Sequence, residues 1–247
     1  MAKTREQISS AVEEEFPRLL RDIYGEGLRS VTIYGSYLRE SFRPGVSDVN
    51  VLVILEKPAP PALRELGRRG RRTMKKNGIA PLILSRAEFL TSADVFPMEY
   101  FDILSNRKVV YGEDVAGELS LSNDNLRHQV EHQLRGSLLS LRKLAVAAGR
   151  RRPFLKTALK RELMQWYGSL SAILRGLLRL QGINTIPSDP RRLVEELNRT
   201  LGLEPGAILT LLECRGGDCP DAYELIDGLL DRLGRLVEIV DAWEGSR

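Results

Sequence analysis

The apolar residues of this chain change their spacing near residue 115, and that change limits the fold more than any other feature. Before it, short runs rich in β-branched residues alternate with charged, helix-like stretches, a pattern typical of a mixed α/β layer. A helix is predicted over Ala62–Asn77, with Gly78 at the position where a left-handed cap ends a helix. The predicted strands lie at 31–36, 49–55, 80–84 and 107–112.

After residue 120 the apolar spacing becomes helical, starting from Asn123 or Asp124. Helices joined by short loops form a bundle, and apolar faces of a bundle permit a homodimer without requiring one. The sequence therefore predicts an α+β protein, with a mixed α/β domain over residues 1–115 and an all-α helical bundle over residues 116–247. The first helix of the bundle would bury Leu126, Val130, Leu134, Leu138, Leu141 and Ala145, and further helices are expected at 155–181, 191–201, 205–213 and 222–243.

Composition excludes several classes of protein. The 247 residues are 43% hydrophobic and 28% charged, which argues for a globular chain, and no apolar run is long enough for a membrane helix. The first residues mix charges of both signs and lack the apolar core of a secretory signal, so a cytoplasmic protein is expected. Cys214 and Cys219 lack further ligands for a zinc site and are interpreted as free thiols.

One segment carries the residues most suited to chemistry. Gly35 and Ser36 end a predicted strand, and Asp48 stands at the start of the next. A glycine lets the backbone approach a phosphate closely, and the N–H groups that follow can donate to phosphate oxygens. A carboxylate facing the same phosphates could hold a divalent metal. The segment therefore predicts an anion cradle beside a metal ligand.

These residues resemble the signature of the nucleotidyltransferase superfamily, in which Gly-Ser precedes Asp-x-Asp or Asp-x-Glu; here the second part reads Asp48-Val49-Asn50. The helical second half resembles the bundles that follow this fold in antibiotic nucleotidyltransferases. The resemblance implies an NTP held at Gly35 and Ser36, Mg²⁺ or Mn²⁺ on Asp48 and Asn50, and transfer of a nucleotidyl group to an acceptor hydroxyl. Arg39 and Arg43 then lie beside the triphosphate.

The sequence departs from that signature at two places. Asn50 offers a neutral carbonyl oxygen where the family has a second carboxylate, and the strand at 79–84, where the third is usual, contains no acid. Glu99 or Asp102 could supply the missing carboxylate, as a metal ligand or as the base that activates an acceptor hydroxyl. If their segment is a strand, the two acids face opposite sides and only one can serve.

Other polar clusters have simpler interpretations. Arg127 and His132 match the spacing of some small helical ribonucleases, and His128 with His132 could bind a metal, but no third ligand is evident and structural polar positions are favoured. Trp166 and Tyr167 could stack on an acceptor or pack in the bundle. A basic helix could bind phosphate, RNA or an acidic acceptor, yet no aromatic residue interleaves its charges to stack bases, which argues against nucleic acid. Its members are Arg64, Arg68, Arg69, Arg71, Arg72, Lys75 and Lys76.

Two functions remain open from the sequence. The first is an enzyme that transfers a nucleotidyl group from an NTP to a small-molecule or protein acceptor, using a divalent metal. The alternative is a degenerate relative that binds nucleotide or a partner without turnover, because Asn50 and the acid-free strand remove ligand charge. Fold analogy alone does not choose between them.

Overall fold

The computed structural model describes residues 4–39, 42, 44–45, 47–148, 169–187, 189–204, 206–213 and 221–243. The chain divides into two compact units, Met1–Leu121 and Ser122–Arg247. The 3₁₀ turn Val115–Glu118 belongs to the first unit, where Val115 and Ala116 pack in its core. Arg43, Cys214, Cys219, Trp166 and Tyr167 lie outside the described residues, so their predicted roles stay predictions.

The first unit is built on a four-stranded sheet of order β3-β2-β1-β4. β1 pairs antiparallel with both β2 and β4, and β2 pairs parallel with β3 through a crossover that contains the basic helix. The four strands lie close to their predicted positions, although the last two residues of the first predicted run form a turn. Their bounds are β1 Leu28–Tyr34, β2 Val49–Leu55, β3 Ile79–Ser85 and β4 Arg107–Gly112.

Helices cover both faces of this sheet. The amino-terminal helical region consists of α1, a π-helical turn and α2. Neither this region nor α4 was predicted from the sequence. α3 matches its predicted helix and ends at Gly78 in a left-handed cap, as expected. The bounds are α1 Arg5–Ser10, the π turn Ala11–Glu15, α2 Phe16–Tyr24, α3 Pro60–Asn77, α4 Arg86–Thr91 and α5 Pro97–Ser105.

Alternation along β2 shows how the two layers form. Val49, Val51 and Val53 pack with residues of α1 to α3, whereas Leu52 and Ile54 pack with residues of α4 and α5. Successive side chains of a strand point to opposite faces, so these two clusters lie on opposite sides of the sheet. We call the first side the α3 face and the second the α5 face.

The second unit is helical, as the spacing predicted. Leu126, Val130, Leu134, Leu138 and Leu141 of α6 are buried at helical spacing, while Ala145 is partly exposed. Described residues 169–180 form α7, inside the helix predicted at 155–181. No helix of the described chain is both long and apolar enough to cross a membrane. The remaining bounds are α6 Asn123–Ala148, α8 Pro190–Leu201, α9 Gly206–Glu213 and α10 Ala222–Asp241.

Candidate active site

The signature residues meet at one edge of the sheet. Tyr34, the last residue of β1, is in register with Asn50 of β2 and with Arg107 of β4. The edge is closed by two backbone hydrogen bonds: the Gly35 N–H donates to the Asn106 carbonyl at 3.1 Å, and the Val49 N–H donates to the Gly78 carbonyl at 2.8 Å. Sheet pairing therefore brings together turns that are distant in sequence.

Gly35 is required at this edge for two reasons. Its φ of +79° lies in the left-handed region, which L side chains rarely adopt. A Cβ on Gly35 would also lie 3.2 Å from Nδ2 of Asn50, closer than an ordinary van der Waals contact. The sequence interpretation explained Gly35 by phosphate approach alone, and contact with Asn50 is a second constraint that only the fold reveals.

The Gly-Ser turn, Gly35–Leu38, is held in place by the contacts of its residue Tyr37. The buried Tyr37 ring packs edge-on against Phe42, with ring centroids 5.0 Å apart. Arg5 of α1 lies over the Tyr37 ring and donates from Nη2 to the Tyr37 carbonyl at 2.8 Å. These contacts hold the turn while Ser36 stays partly exposed. No local motif identifies Arg5 as a support of this turn, because the contact joins segments far apart in sequence.

Asp48 and Asn50 lie on the same side of the edge. They precede Leu52 and Ile54 at alternate positions, so the strand period places them on the α5 face. Asp48 is exposed, Asn50 is partly exposed, and Asp48 lies beside the turn at Gly78. Ala80 is in register with Asn50 and is also exposed, so β3 brings a methyl group and no acid beside Asn50.

The segment with Glu99 and Asp102 is the helix α5, which corrects the conditional strand prediction. Three residues apart on a helix, the two acids are neighbours on one side, so the strand argument that only one can serve does not hold. Pro97 in the first helical turn is the signal that favours a helix here. The helix is held by Tyr100, which stacks on Phe89 at 4.8 Å and shares a hydrogen bond with Ser92.

Both acids of α5 act electrostatically on Tyr34. Burial and, to a smaller extent, the negative charges of Asp102 and Glu99 together raise the pKa of Tyr34 to about 12. Tyr34 is therefore a neutral hydroxyl at ordinary pH. Since Tyr34 is in register with Asn50, the acids of α5 approach the same part of the edge as the signature residues. The sequence interpretation missed Tyr34, because strand register decides its neighbours.

The donor chemistry suits a cation that is held jointly with a nucleotide. Among the described residues, no three His, Cys, Asp or Glu side chains converge into a metal site of their own. Mg²⁺ is commonly bound by one or two carboxylates together with substrate phosphates and water. The Asp48 carboxylate and the Asn50 carbonyl oxygen fit that requirement, whereas a cage of protein ligands alone does not form in the described chain.

The residues singled out for a ribonuclease-like spacing lie in the second unit. His128 and His132 are exposed on α6. Arg127 donates to Glu131 at 3.0 Å and to the Val240 carbonyl at 3.3 Å, a structural link between α6 and α10. The contacts of Arg127 are structural, whereas the interpretation of the two histidines stays a prediction.

The likeness of this chain to known proteins is found in its structure and not in its sequence. No protein-family model matches the sequence, and no curated protein matches it significantly. Among solved structures, spectinomycin adenyltransferase AAD(9) from Enterococcus faecialis, crystallised with ATP and spectinomycin, superimposes with a TM-score of 0.58 at 16% identity. The match covers 94% of this chain and 100% of that chain. The fold is that of a nucleotidyltransferase. The predicted resemblance, a mixed α/β domain followed by a helical region, is thus confirmed at the level of fold.

Proposed function

We propose that this protein binds an NTP and a divalent metal at the sheet edge and transfers the nucleotidyl group to an acceptor hydroxyl. The observation that carries the proposal is the meeting of the Gly-Ser turn, Asp48 and Asn50 at one edge, with Asp102 close to the neighbouring Tyr34. Each group has a distinct part in this chemistry.

The Gly-Ser turn would hold the triphosphate. A glycine at positive φ followed by a 3₁₀ turn leaves backbone N–H groups able to surround an anion, and Ser36 adds a hydroxyl donor. Support from Tyr37 and Arg5 keeps these donors in place before the ligand arrives. Arg39 follows the turn and would add positive charge, and Arg43 is proposed with it on sequence grounds alone.

Asp48 and Asn50 would hold Mg²⁺ or Mn²⁺ together with phosphate oxygens. The metal supplies neutralisation of phosphate charge, which lowers the repulsion met by an incoming oxygen nucleophile. Because Asn50 is neutral, the protein contributes one negative charge from this pair, and binding should depend strongly on the nucleotide. Metal and nucleotide are therefore expected to bind together.

Asp102 is the preferred base, with Glu99 as the neighbouring alternative. Of the two, Asp102 has the stronger effect on Tyr34, and its side chain is partly buried whereas Glu99 is exposed. The carboxylate would take the proton of the acceptor hydroxyl as its oxygen bonds to the α-phosphorus, and pyrophosphate would leave with the electrons of the broken P–O bond. Because the Tyr34 hydroxyl is neutral at ordinary pH, it can donate a hydrogen bond but cannot act as the base.

ATP is the first nucleotide to test and a small molecule is the first acceptor class. The similar solved structure contains ATP and spectinomycin, which supports both choices without identifying the acceptor. A protein acceptor remains the second class. The reaction places no requirement on the acceptor beyond an accessible hydroxyl.

The alternative, a protein that binds nucleotide or a partner without turnover, has specific observations in its favour. Asn50 stands where the resembling signature has a carboxylate, and the exposed Ala80 beside it on β3 supplies no acid. Loss of ligand charge weakens a metal site, since unit charges at 4 Å attract by about 4 kcal/mol at an effective dielectric of about 20. The two functions differ in whether the remaining metal site, with Asp102 as the base, still supports turnover.

Calorimetric titration with a nonhydrolysable ATP analogue, with and without Mg²⁺, tests the site. We expect Mg²⁺-dependent binding that weakens at least about tenfold in Asp48→Asn, a change of about 1.4 kcal/mol. Asp94→Asn removes an exposed acid from the same unit and should bind as the wild type does. Asn50→Asp should tighten metal-dependent binding, because it restores a ligand charge. Equal affinity in Asp48→Asn and Asp94→Asn would refute the assignment.

Pyrophosphate release in the presence of pooled hydroxyl compounds separates the two functions. An enzyme should release pyrophosphate in an acceptor-dependent manner, and Asp102→Asn should lower kcat while leaving nucleotide affinity unchanged. Glu99→Gln should have the smaller effect. Nucleotide binding without turnover for any pool would favour the degenerate protein and direct the search towards partners.

A further inference from the structure

Helix α3 concentrates the positive charge of the protein. Its 18 residues contain seven basic side chains and a single acidic one, a net charge of +6, whereas the whole protein carries +4. The rest of the chain is therefore slightly acidic. A general excess of lysine and arginine does not explain this helix, so the charge needs a local explanation.

The charge of α3 is also confined to one side. Leu66, Gly70 and Asn77 are buried, and their spacing marks the side that packs on the sheet. The basic residues recur at intervals of three and four on the opposite, exposed side, over about 18 Å at 1.5 Å per residue. We call this surface the α3 basic face: Arg64, Arg68, Arg71, Arg72, Lys75 and Lys76.

Most of the face lacks acidic partners. Arg68 pairs with Glu65, but Arg71, Arg72, Lys75 and Lys76 form no ion pair within the described chain. Like charges spaced three or four residues apart destabilise a helix, so this arrangement is unfavourable for the isolated protein. A surface depression of about 650 Å³ lies along the helix, lined by Arg69 and by all members of the face except Arg64.

We propose that the α3 basic face binds the phosphodiester backbone of a single-stranded nucleic acid. A row of cations one helical turn apart suits a chain with regularly repeated negative charges better than a single compact anion. A specific protein interface normally has an apolar centre, and a membrane-surface helix needs an exposed apolar face; α3 offers neither on this side. The chemistry therefore favours a phosphate polymer.

The binding is independent of base sequence. No aromatic side chain of α3 lies between the cations, so bases have no stacking partner and phosphate contacts supply the affinity. The sequence argument against nucleic acid concerned stacking, which a contact restricted to the backbone does not need. Gly67 borders the face, and a Cβ added there would meet open space. The nucleic acid can therefore approach the helix closely at this point.

The test uses the full chain, a fluorescein-labelled oligouridylate and anisotropy at several salt concentrations. Arg71→Gln/Lys75→Gln removes two neighbouring charges from the face, and Arg142→Gln/Lys143→Gln removes the same pair of residue types from exposed positions of α6. We expect the first variant to bind at least about tenfold more weakly, with a salt slope shallower by about 1.4, as two phosphate contacts are lost. The second should retain the wild-type affinity and slope.

A charge-preserving variant, Arg71→Lys, guards against a folding artefact and should bind nearly as the wild type does. Circular dichroism and thermal unfolding of all variants confirm that α3 is intact. Absence of oligouridylate binding by the wild type at low salt would overturn the proposal, and so would equal weakening in the α3 and α6 double variants. Nucleotide binding at Asp48 should be unchanged throughout, so this test is separate from that of the proposed reaction.

Discussion

The two faces of β2 differ in where their apolar side chains stop. On the α3 face, Val49, Val51, Val53 and Leu55 are all buried, from one end of the strand to the other. On the α5 face only Leu52 and Ile54 are buried, and the strand begins with the polar pair Asp48 and Asn50. One face of β2 is thus apolar along its whole length, whereas the other face is apolar only in its second half and polar at the candidate site.

This difference shows how a small sheet accommodates a polar site without losing its core. α1 to α3 cover their face up to the edge, while α5 brings acids towards Tyr34 at the same end of the opposite face. At this end of the sheet, stability should therefore depend on the α3 face and binding on the α5 face. Four predictions test that separation, in decreasing order of expected effect.

The largest effect is expected from a matched pair of substitutions in β2. Val51→Asn buries an unpaired amide on the α3 face and should lower the free energy of unfolding by about 3 to 5 kcal/mol. Asn50→Val, on the α5 face, should change it by less than about 1 kcal/mol. Urea denaturation measures both. Equal destabilisation by the two variants would contradict the separation of roles.

Tyr34 should make stability depend on alkaline pH. Its pKa is raised to about 12, above its value in the unfolded chain, because the folded protein favours the neutral phenol. The contribution of this phenol to the free energy of unfolding is therefore complete below about pH 10 and is lost as pH rises through 12. A shift of this size corresponds to about 2 to 3 kcal/mol. Denaturation of wild type and Tyr34→Phe across this range should show a shallower alkaline decline in the variant.

The two glycines that flank β1 should respond differently to alanine. Gly35→Ala forces a side chain into positive φ and against Asn50, at a cost of about 1 to 2 kcal/mol. Gly27 has no such φ, and a Cβ there meets open space, so Gly27→Ala should change stability by no more than about 0.5 kcal/mol. Thermal unfolding of both variants compares the site end of β1 with its other end.

The smallest effect concerns the acids of α5. Removing the charge of Asp102 in Asp102→Asn should lower the pKa of Tyr34, and Glu99→Gln should lower it less. Tyr34→Phe identifies the contribution of this phenol in an ultraviolet titration. If neither substitution moves that titration, the acids of α5 do not act on the polar half of the α5 face.

Much of the fold could be predicted because local patterns specify it. The β-branched runs at β1 to β4, the helix ending at Gly78 and the leucine spacing of α6 each carry their own signal. The amino-terminal helices and α4 were missed, and α5 was considered only as a strand. Short segments with mixed apolar spacing fit more than one periodicity, so their apolar pattern alone does not distinguish a helix from a strand.

The candidate site was only partly predictable. Gly35, Ser36 and Asp48 stand in a recognisable order, and their roles as phosphate and metal contacts remain proposals. Tyr34 and Arg5 were not singled out, since one depends on strand register and the other on a contact between α1 and the Gly-Ser turn. Side chains recruited by tertiary packing leave no local pattern in the sequence.

By itself, the sequence determined the alternation of strands and helices, the later helical half, and the placing of Gly35 and Asp48 at strand ends, because hydrophobic periodicity and backbone preferences act over neighbouring residues. Only the tertiary structure decided that Asn50 lies against Gly35 and that the acids of α5 lie close enough to affect Tyr34. Those relations depend on which strands pair, in which register, and on which face a helix packs, and these are choices of the whole chain.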